Sequence, residues 1–306
     1  MLIRNVCRLK AGAPSAILQE LYPPLTPGML REWVERISIP RHRIVNAEAN
    51  VAVADWLAEE FSHWGYEVSF QGRFRNVIAQ PARITDKVIV VGAHYDSVPT
   101  TPGVDDNGSA VAAMLGCAQM CAAFLPELPV VFVAFNGEED GLLGSSDWVS
   151  EFLPTAAYKV ECAHVLEMVG YASSLPGSQK VPPGLPISLP DRGDFIGLLT
   201  NRSGAASMQA ALQTIRTERP DLPAYGVEVL LGLEKFFPVL HRSDHAPFWQ
   251  AGIPSIMWTD TSEFRNPHYH AASDTPDTLN YDFLTQVTQA VSAVVLTQAA
   301  RLVTEV

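Results

Sequence analysis

The stretch GAHYDSVPTTPGVDDNGS, Gly92 to Ser109, decides how this chain is read. It directly follows VIVV (Val88–Val91), a β-branched apolar run that suits a buried strand. It directly precedes AVAAMLGCAQMCAAF (Ala110–Phe124), long and Ala-rich enough for a buried helix. Between the two lie His94, Asp96, Asp105 and Asp106. Open α/β sheets place their ligands in loops at the carboxyl ends of strands. A histidine and a carboxylate held there by rigid flanks read as the first half of a metal site.

Outward from this segment, strands and helices alternate. Thr26-Pro27 reads as a helix cap and first-turn proline, followed by Leu30, Trp33, Val34 and Ile37 at helical spacing. A second helix is expected over about Asn46–Trp64, closing at Gly65. Glu67–Phe70, Asn76–Gln80, a central strand from Lys87, Pro129–Asn136 and Ala163–Val169 read as strands. Tyr171 to Phe195 carries five prolines and no periodicity, which suits a wall of a substrate pocket. A helix near Ala205–Thr217, strands near Gly226–Leu231 and Pro254–Trp258, and a helix over about Tyr281–Val303 complete the series. This order predicts a three-layer α/β/α sandwich around a mixed, mainly parallel sheet. We expect one domain over residues 1–306, with 1–45 as a helical N-terminal extension.

Composition narrows the function classes. A formal charge of −12 over 306 residues argues against binding the phosphate backbone of nucleic acids. No apolar run reaches the ~18 residues of a membrane helix. The amino terminus has Arg4, Arg8 and Lys10 but no apolar segment after them, so it makes a poor signal peptide. The expectation is a cytoplasmic chain as sequenced, with a secreted or periplasmic one still open if a leader was removed. Cys117 and Cys121 lie on the apolar helix, where they read as small buried hydrophobes. Oligomeric state is not legible.

Five segments hold the chemistry: His94-Tyr-Asp96, Gly103-Val-Asp105-Asp106-Asn107, Gly137-Glu138-Glu139, Leu166-Glu167-Met168 and Pro267-His268-Tyr269-His270. Singly, each has an ordinary structural explanation; a Glu-Glu pair, for instance, often opens a helix. Together they match a specific demand. Two zinc ions about 3.5–4 Å apart share a bridging carboxylate and a water. Such a pair needs a bridging acid, two histidines, two further acids and one unligated acid for proton transfer. Asp105, His94 with His270, Glu139 with Glu167, and Glu138 supply that set.

GAHYDS, PGVDDNGSA, FNGEEDGLLGS, LEMVGY, SDHAPF, GIPSI and YHAASDTPDTL resemble the co-catalytic di-zinc aminopeptidases. That family also includes glutamate carboxypeptidase II and the glutaminyl cyclases. The resemblance covers roughly two thirds of the chain. It implies His94 and Glu167 on one zinc, Glu139 and His270 on the other, and Asp105 between them, with a cis Asp105–Asp106 peptide. It implies Glu138 as general base. Asp96 would orient the His94 imidazole, and Asp274 would act similarly for His270. Many members carry Asp where this chain has Glu167. A tyrosine that some place three residues before SDH is Leu240 here, leaving the zinc itself, His241, Arg242 or an unlocated group to meet the oxyanion. His241, His245 and His268 are given supporting roles, Ser243 a helix cap, and His63 and His164 structural ones. Phe236, Phe237, Phe264 and Tyr171 are candidates for an apolar pocket.

The implied function is hydrolysis of the N-terminal residue of peptides with a free amino end. Its rivals are a glutaminyl cyclase with a single zinc, a related di-zinc carboxypeptidase or deacylase, and a metal-free binding protein on the same fold.

Overall fold

The computed structural model describes residues 1–304. Its strands are β1 (Leu2–Asn5), β2 (Glu67–Gln71), β3 (Asn76–Gln80), β4 (Lys87–His94), β5 (Val130–Phe135), β6 (Lys159–Glu167), β7 (Ile196–Asn201), β8 (Ala224–Val229) and β9 (Ser255–Thr259). The α-helices are α1 (Ala16–Leu21), α2 (Pro27–Arg36), α3 (Ala47–His63), α4 (Ala110–Phe124), α5 (Leu143–Asp147), α6 (Ala205–Glu218), α7 (His245–Gln250) and α8 (Tyr281–Thr304). All nine strands join one sheet in the order β1-β8-β7-β9-β6-β4-β5-β3-β2.

The α/β sandwich expected from the sequence is the fold observed. Its centre, β5-β4-β6-β9, is parallel. Antiparallel pairings set β1, β2 and β3 on the flanks and join β7 to β9, so the sheet is more evenly mixed than expected. β1 and β7 were not foreseen. β1 is four residues long, and its partner β8 lies more than 200 positions away, beyond the reach of local periodicity.

The central strands are apolar along their whole length because both sheet faces are covered. Ile89, Val91, Val130, Phe132 and Ala134 face the larger core, built with α2, α3, α4, α6 and α8. Val88, Val90, Val131, Val133 and Phe135 face the opposite core, with Trp148 and Phe248. The helical stretch Val104–Phe124 is long and apolar enough to cross a membrane by length and composition, but most of it is buried inside the fold. Thr26 caps α2 through its hydroxyl, which accepts from the Met29 amide at 3.2 Å.

The larger core also encloses a histidine. His164 Nδ1 accepts from the Trp258 indole at 3.0 Å, and its Nε2 donates to Gln298 at 2.8 Å. Burial pushes the imidazole down to about 4, so it is neutral in the folded chain. The unfolded chain binds a proton there below about 6.5. Stability from this site is therefore present above that pH and lost as the pH falls toward 4. His164→Gln should be the less stable protein at pH 7, with the gap narrowing by up to about 1.4 kcal/mol per pH unit on the way down. Urea unfolding of both proteins at pH 7, 5.5 and 4 measures this, and a constant gap would refute it.

Candidate metal centre

The chemistry-bearing residues emerge where β4, β5 and β6 end. β4 delivers His94, β5 leads through Asn136 and Gly137 (φ +80°) to Glu138 and Glu139, and β6 closes on Glu167. The loop after β4 turns at Gly103 (φ +61°), where an added Cβ would lie 2.7 Å from the Asp106 carbonyl oxygen and from Ser97.

That loop is held from the N-terminal side. Arg41 is fully buried, and its guanidinium donates to five carbonyl oxygens, those of Ile37, Ile39, Tyr95, Pro102 and Gly103. Beside it, His42 donates from Nε2 to Asp140 at 3.1 Å, and Arg43 pairs with the same carboxylate at 2.6 Å. Asn50 and Asn136 exchange amide hydrogen bonds at 2.9 and 3.0 Å. The region expected as a helical extension thus contributes a strand to the sheet and a brace to the loops carrying His94, Glu138 and Glu139.

Several expectations are corrected. Asp105 does not reach the imidazoles: it accepts from the Gly170 backbone amide at 3.0 Å and from Nδ2 of Asn266 at 2.6 Å. Asp106 stands between the two histidines, 3.3 Å from His94 Nε2 and 3.0 Å from His270 Nε2. The cis peptide likewise lies one residue later, at Asp106–Asn107. The physical reason is the anchoring around it. Asn107 donates to the Leu166 carbonyl and accepts from the Met168 amide, while Asp105 is tied to Gly170, so Asp106 is the acid left facing the cleft.

Asp274 is also placed differently. It does not support His270 but accepts from the amides of Val104, Asp105 and Asp106 at 2.7 to 3.4 Å. Asp96 is fully buried; it approaches His94 Nδ1 to 3.5 Å and accepts from the amides of Glu138 and Glu139 at 3.3 Å. Ser243, expected to cap a helix, donates instead to Glu167 at 2.7 Å.

The rest of the set converges. Glu167 lies 3.5 Å and Glu138 4.0 Å from His94 Nε2, and Glu139 lies 3.2 Å from His270 Nε2. Two potential cation sites result, His94–Glu138–Glu167 and His94–Asp106–Glu139. Around a tetrahedral zinc with bonds of about 2.0–2.2 Å, neighbouring donor atoms stand roughly 3.3–3.5 Å apart. The separations here have that size. Both ring nitrogens of His94 and one oxygen of Glu139 are buried without a hydrogen bond.

The electrostatics agree with that donor set. Burial, then the Asp106 charge, pushes Glu139 up to about 7. Burial also pushes Glu138 well above the usual carboxylate range, and Glu167 and the fully buried Asp244 add to it. Opposing its own burial, the Asp106 carboxyl is held below the usual range by His270 and His94. Acids this close in a dry cleft call for a cation.

The other histidines are occupied elsewhere: His241 with the Glu234 carbonyl, His245 with that of Leu240, and His268 with Ser273. A group not singled out before is Tyr269. Its ring stacks on His270 at 3.9 Å, and its hydroxyl accepts from Arg242 at 3.0 Å. Its position next to His270 was the available signal. A cavity opens from the acids, with Tyr269, Arg242 and Phe264 in its wall. Phe236 is 75% exposed and outside the wall, Phe237 packs in an apolar cluster with Leu240, and Tyr171 lies edge-on to His268.

Residues 76–295 match the model of peptidase family M28. Over 257 residues the chain is 35% identical to YfbL of Escherichia coli (strain K12), an uncharacterized protein, covering 78% of this chain and 77% of that one. It is 30% identical over 213 residues to aminopeptidase YwaD of Bacillus subtilis (strain 168), covering 68% of this chain but only 40% of YwaD. The LapA aminopeptidase structure from Legionella pneumophila shares the fold, with a TM-score of 0.71 at 18% identity over 92% of this chain and 73% of LapA. The chain belongs to peptidase family M28, as the sequence motifs had implied.

The brace is testable. Arg41→Met would remove the side-chain donor from the carbonyls of Ile39, Tyr95 and Pro102, while those of Ile37 and Gly103 keep backbone amides, and should cost ~3 kcal/mol or more, with Arg41→Lys intermediate. Metal affinity should weaken about tenfold or more, as it does when groups supporting a ligand are lost. Guanidinium unfolding and zinc titration measure the two effects; unchanged metal affinity would make Arg41 purely a stability residue.

Proposed function

We propose that this chain is a metal-dependent aminopeptidase that holds two zinc ions and removes the N-terminal residue of peptides. The observation that carries this reading is the row His94–Asp106–His270, flanked by Glu167 on one side and Glu139 on the other. His94 and Glu167 would hold one ion, His270 and Glu139 the second, with Asp106 shared. The ending HYHAASDTPDT, which resembles the peptidases, favours this over a single-zinc cyclase. Zinc bound there supplies a polarised substrate carbonyl and a water that ionises near neutral pH.

The chain's own groups do the rest. Glu138, close to the ligand set but 4.0 Å from the nearest imidazole nitrogen, takes a proton from the attacking water and passes it to the leaving amine. Asp96 holds Glu138 and Glu139 by their amides and faces His94, so it positions both the base and a ligand. The Tyr269 hydroxyl, receiving a hydrogen bond from Arg242, can turn its own proton toward an oxyanion in the cavity. The free α-ammonium of a substrate is drawn to the acidic end formed by Asp106, Glu138, Glu139 and Glu167.

Metal analysis with a leucyl-peptide assay tests the proposal. Glu138→Gln should keep its zinc and lose at least about 100-fold in kcat. Asp106→Asn should lower zinc content more than Asp105→Asn does. Near-wild-type turnover by Glu138→Gln would remove the base assignment, and the reverse order of the two aspartates would remove the shared ligand.

A further inference from the structure

The cavity runs far beyond the acids. Sheet register places Glu167 beside Thr259, Thr259 beside Gly197 and Gly197 beside Tyr225, one continuous row across four strands. The adjoining row on the same face is Val165, Met257, Leu199 and Val227. Strands lie about 4.8 Å apart, so the floor from Glu167 to Tyr225 is about 14 Å long. Thr259 and Gly197 keep its middle low, and Met257, Leu199 and Val227 raise an apolar side wall. Tyr225 closes the far end, edge-on to Phe195 at 4.9 Å, with its hydroxyl accepting from Asn5.

On this face Trp249 of α7 and Leu240 share one apolar cluster with Leu199, and Val227 and Met257 pack against it. The roof is the proline-rich segment, whose Leu185, Ile187 and Leu189 line the cavity while Pro186 and Ser188 between them are exposed. Its neck is fixed by the Ser173–Gly193 bridge, by Gln179 to the Asp191 carbonyl at 3.1 Å and by Lys180 to the Phe264 carbonyl at 2.8 Å.

A substrate cut after its first residue offers this trough one side chain, and the longest coded side chains span roughly half of 14 Å. The floor strands are interior, with their backbone groups paired within the sheet. A peptide laid along the far half would therefore give up hydrogen bonds to water without replacement, whereas a hydrocarbon chain has none to give up. We infer that the trough binds a medium-length acyl chain, and that alongside free-amine peptides this enzyme hydrolyses a second substrate class, N-acyl amides whose acyl group reaches roughly ten carbons and brings no ammonium to the acids. The inference rests on the metal-dependent amide hydrolysis proposed above. Water oxygen bonds to the acyl carbon, the carbon–nitrogen bond breaks, and Glu138 carries the water proton to the departing nitrogen. A carboxylic acid and a free amine result, with no change of oxidation state.

The test uses the full chain, without and with zinc, and acetyl-, hexanoyl- and decanoyl-glycine. Calorimetric titration should show affinity rising roughly fourfold per methylene. The zinc-loaded protein should cleave decanoyl-glycine with a higher kcat/KM than acetyl-glycine. Val227→Trp should lower kcat/KM for decanoyl-glycine at least tenfold more than for acetyl-glycine. Tyr225→Ala, which opens the far end, should move the preference to longer chains and serves if the tryptophan variant fails to fold. Affinity independent of chain length overturns the inference, as does an equal effect of Val227→Trp on acetyl- and decanoyl-glycine. If a leucyl peptide is cleaved while chain length has no effect, the trough inference falls alone. If decanoyl-glycine binds with the expected length dependence but nothing is cleaved, the binding site stands and the hydrolytic reading falls.

Discussion

Asp106 is held within 3.3 Å of two imidazoles, His94 and His270, that lie far apart in the sequence. Every other feature of the centre serves that placement. Glu138, Glu139, Glu167 and Asp244 crowd the same cleft, and their mutual repulsion in a dry setting would drive them apart in a softer scaffold. They stay because each leaves a strand end, or a loop pinned to one, in a sheet packed on both faces. The charge surplus is a property of the architecture, and a divalent cation is its natural complement.

Buried acids here divide into two kinds. Asp274 and Asp96 spend their oxygens mainly on backbone amides, and Asp105 divides its own between the Gly170 amide and the Asn266 side chain, so all three fix the path of the chain. Asp106, Glu139 and Glu167 turn theirs toward imidazole nitrogens. Arg41 plays the inverse part, one cation donating to five carbonyl oxygens, of which only those of Ile37 and Gly103 also accept from a backbone amide. Turn-rich backbone of this kind cannot satisfy itself as a helix or sheet does, and ionised side chains take over the task.

Much of this was readable from residue order. The β-branched runs before His94 and Glu138 announced interior strands, and the residues at their ends announced a metal site. The choice between Asp105 and Asp106 was not readable, because two adjacent identical side chains carry no local signal of which one faces the cleft. That choice is made by Asn107 gripping Leu166 and Met168, some sixty positions away. Asp274 was misjudged for the same reason: its partners are amides of a loop about 170 residues earlier. The brace from Arg41, His42 and Arg43 looks in sequence like a solvated basic patch. β7 was missed because a six-residue apolar run beside irregular chain has too little length to show its period.

The roof of the cavity has a kinetic consequence. Pro182, Pro183, Pro186 and Pro190 restrict the backbone on either side of the lining residues, and the neck ties the segment to Phe264 and Thr261. A cover built this way has little conformational freedom left to lose when a ligand arrives. Selection then falls to the fixed shape of the trough, with no ordering step to set the pace of association. Residence time is governed by how quickly apolar surface can slide back out through the acidic mouth.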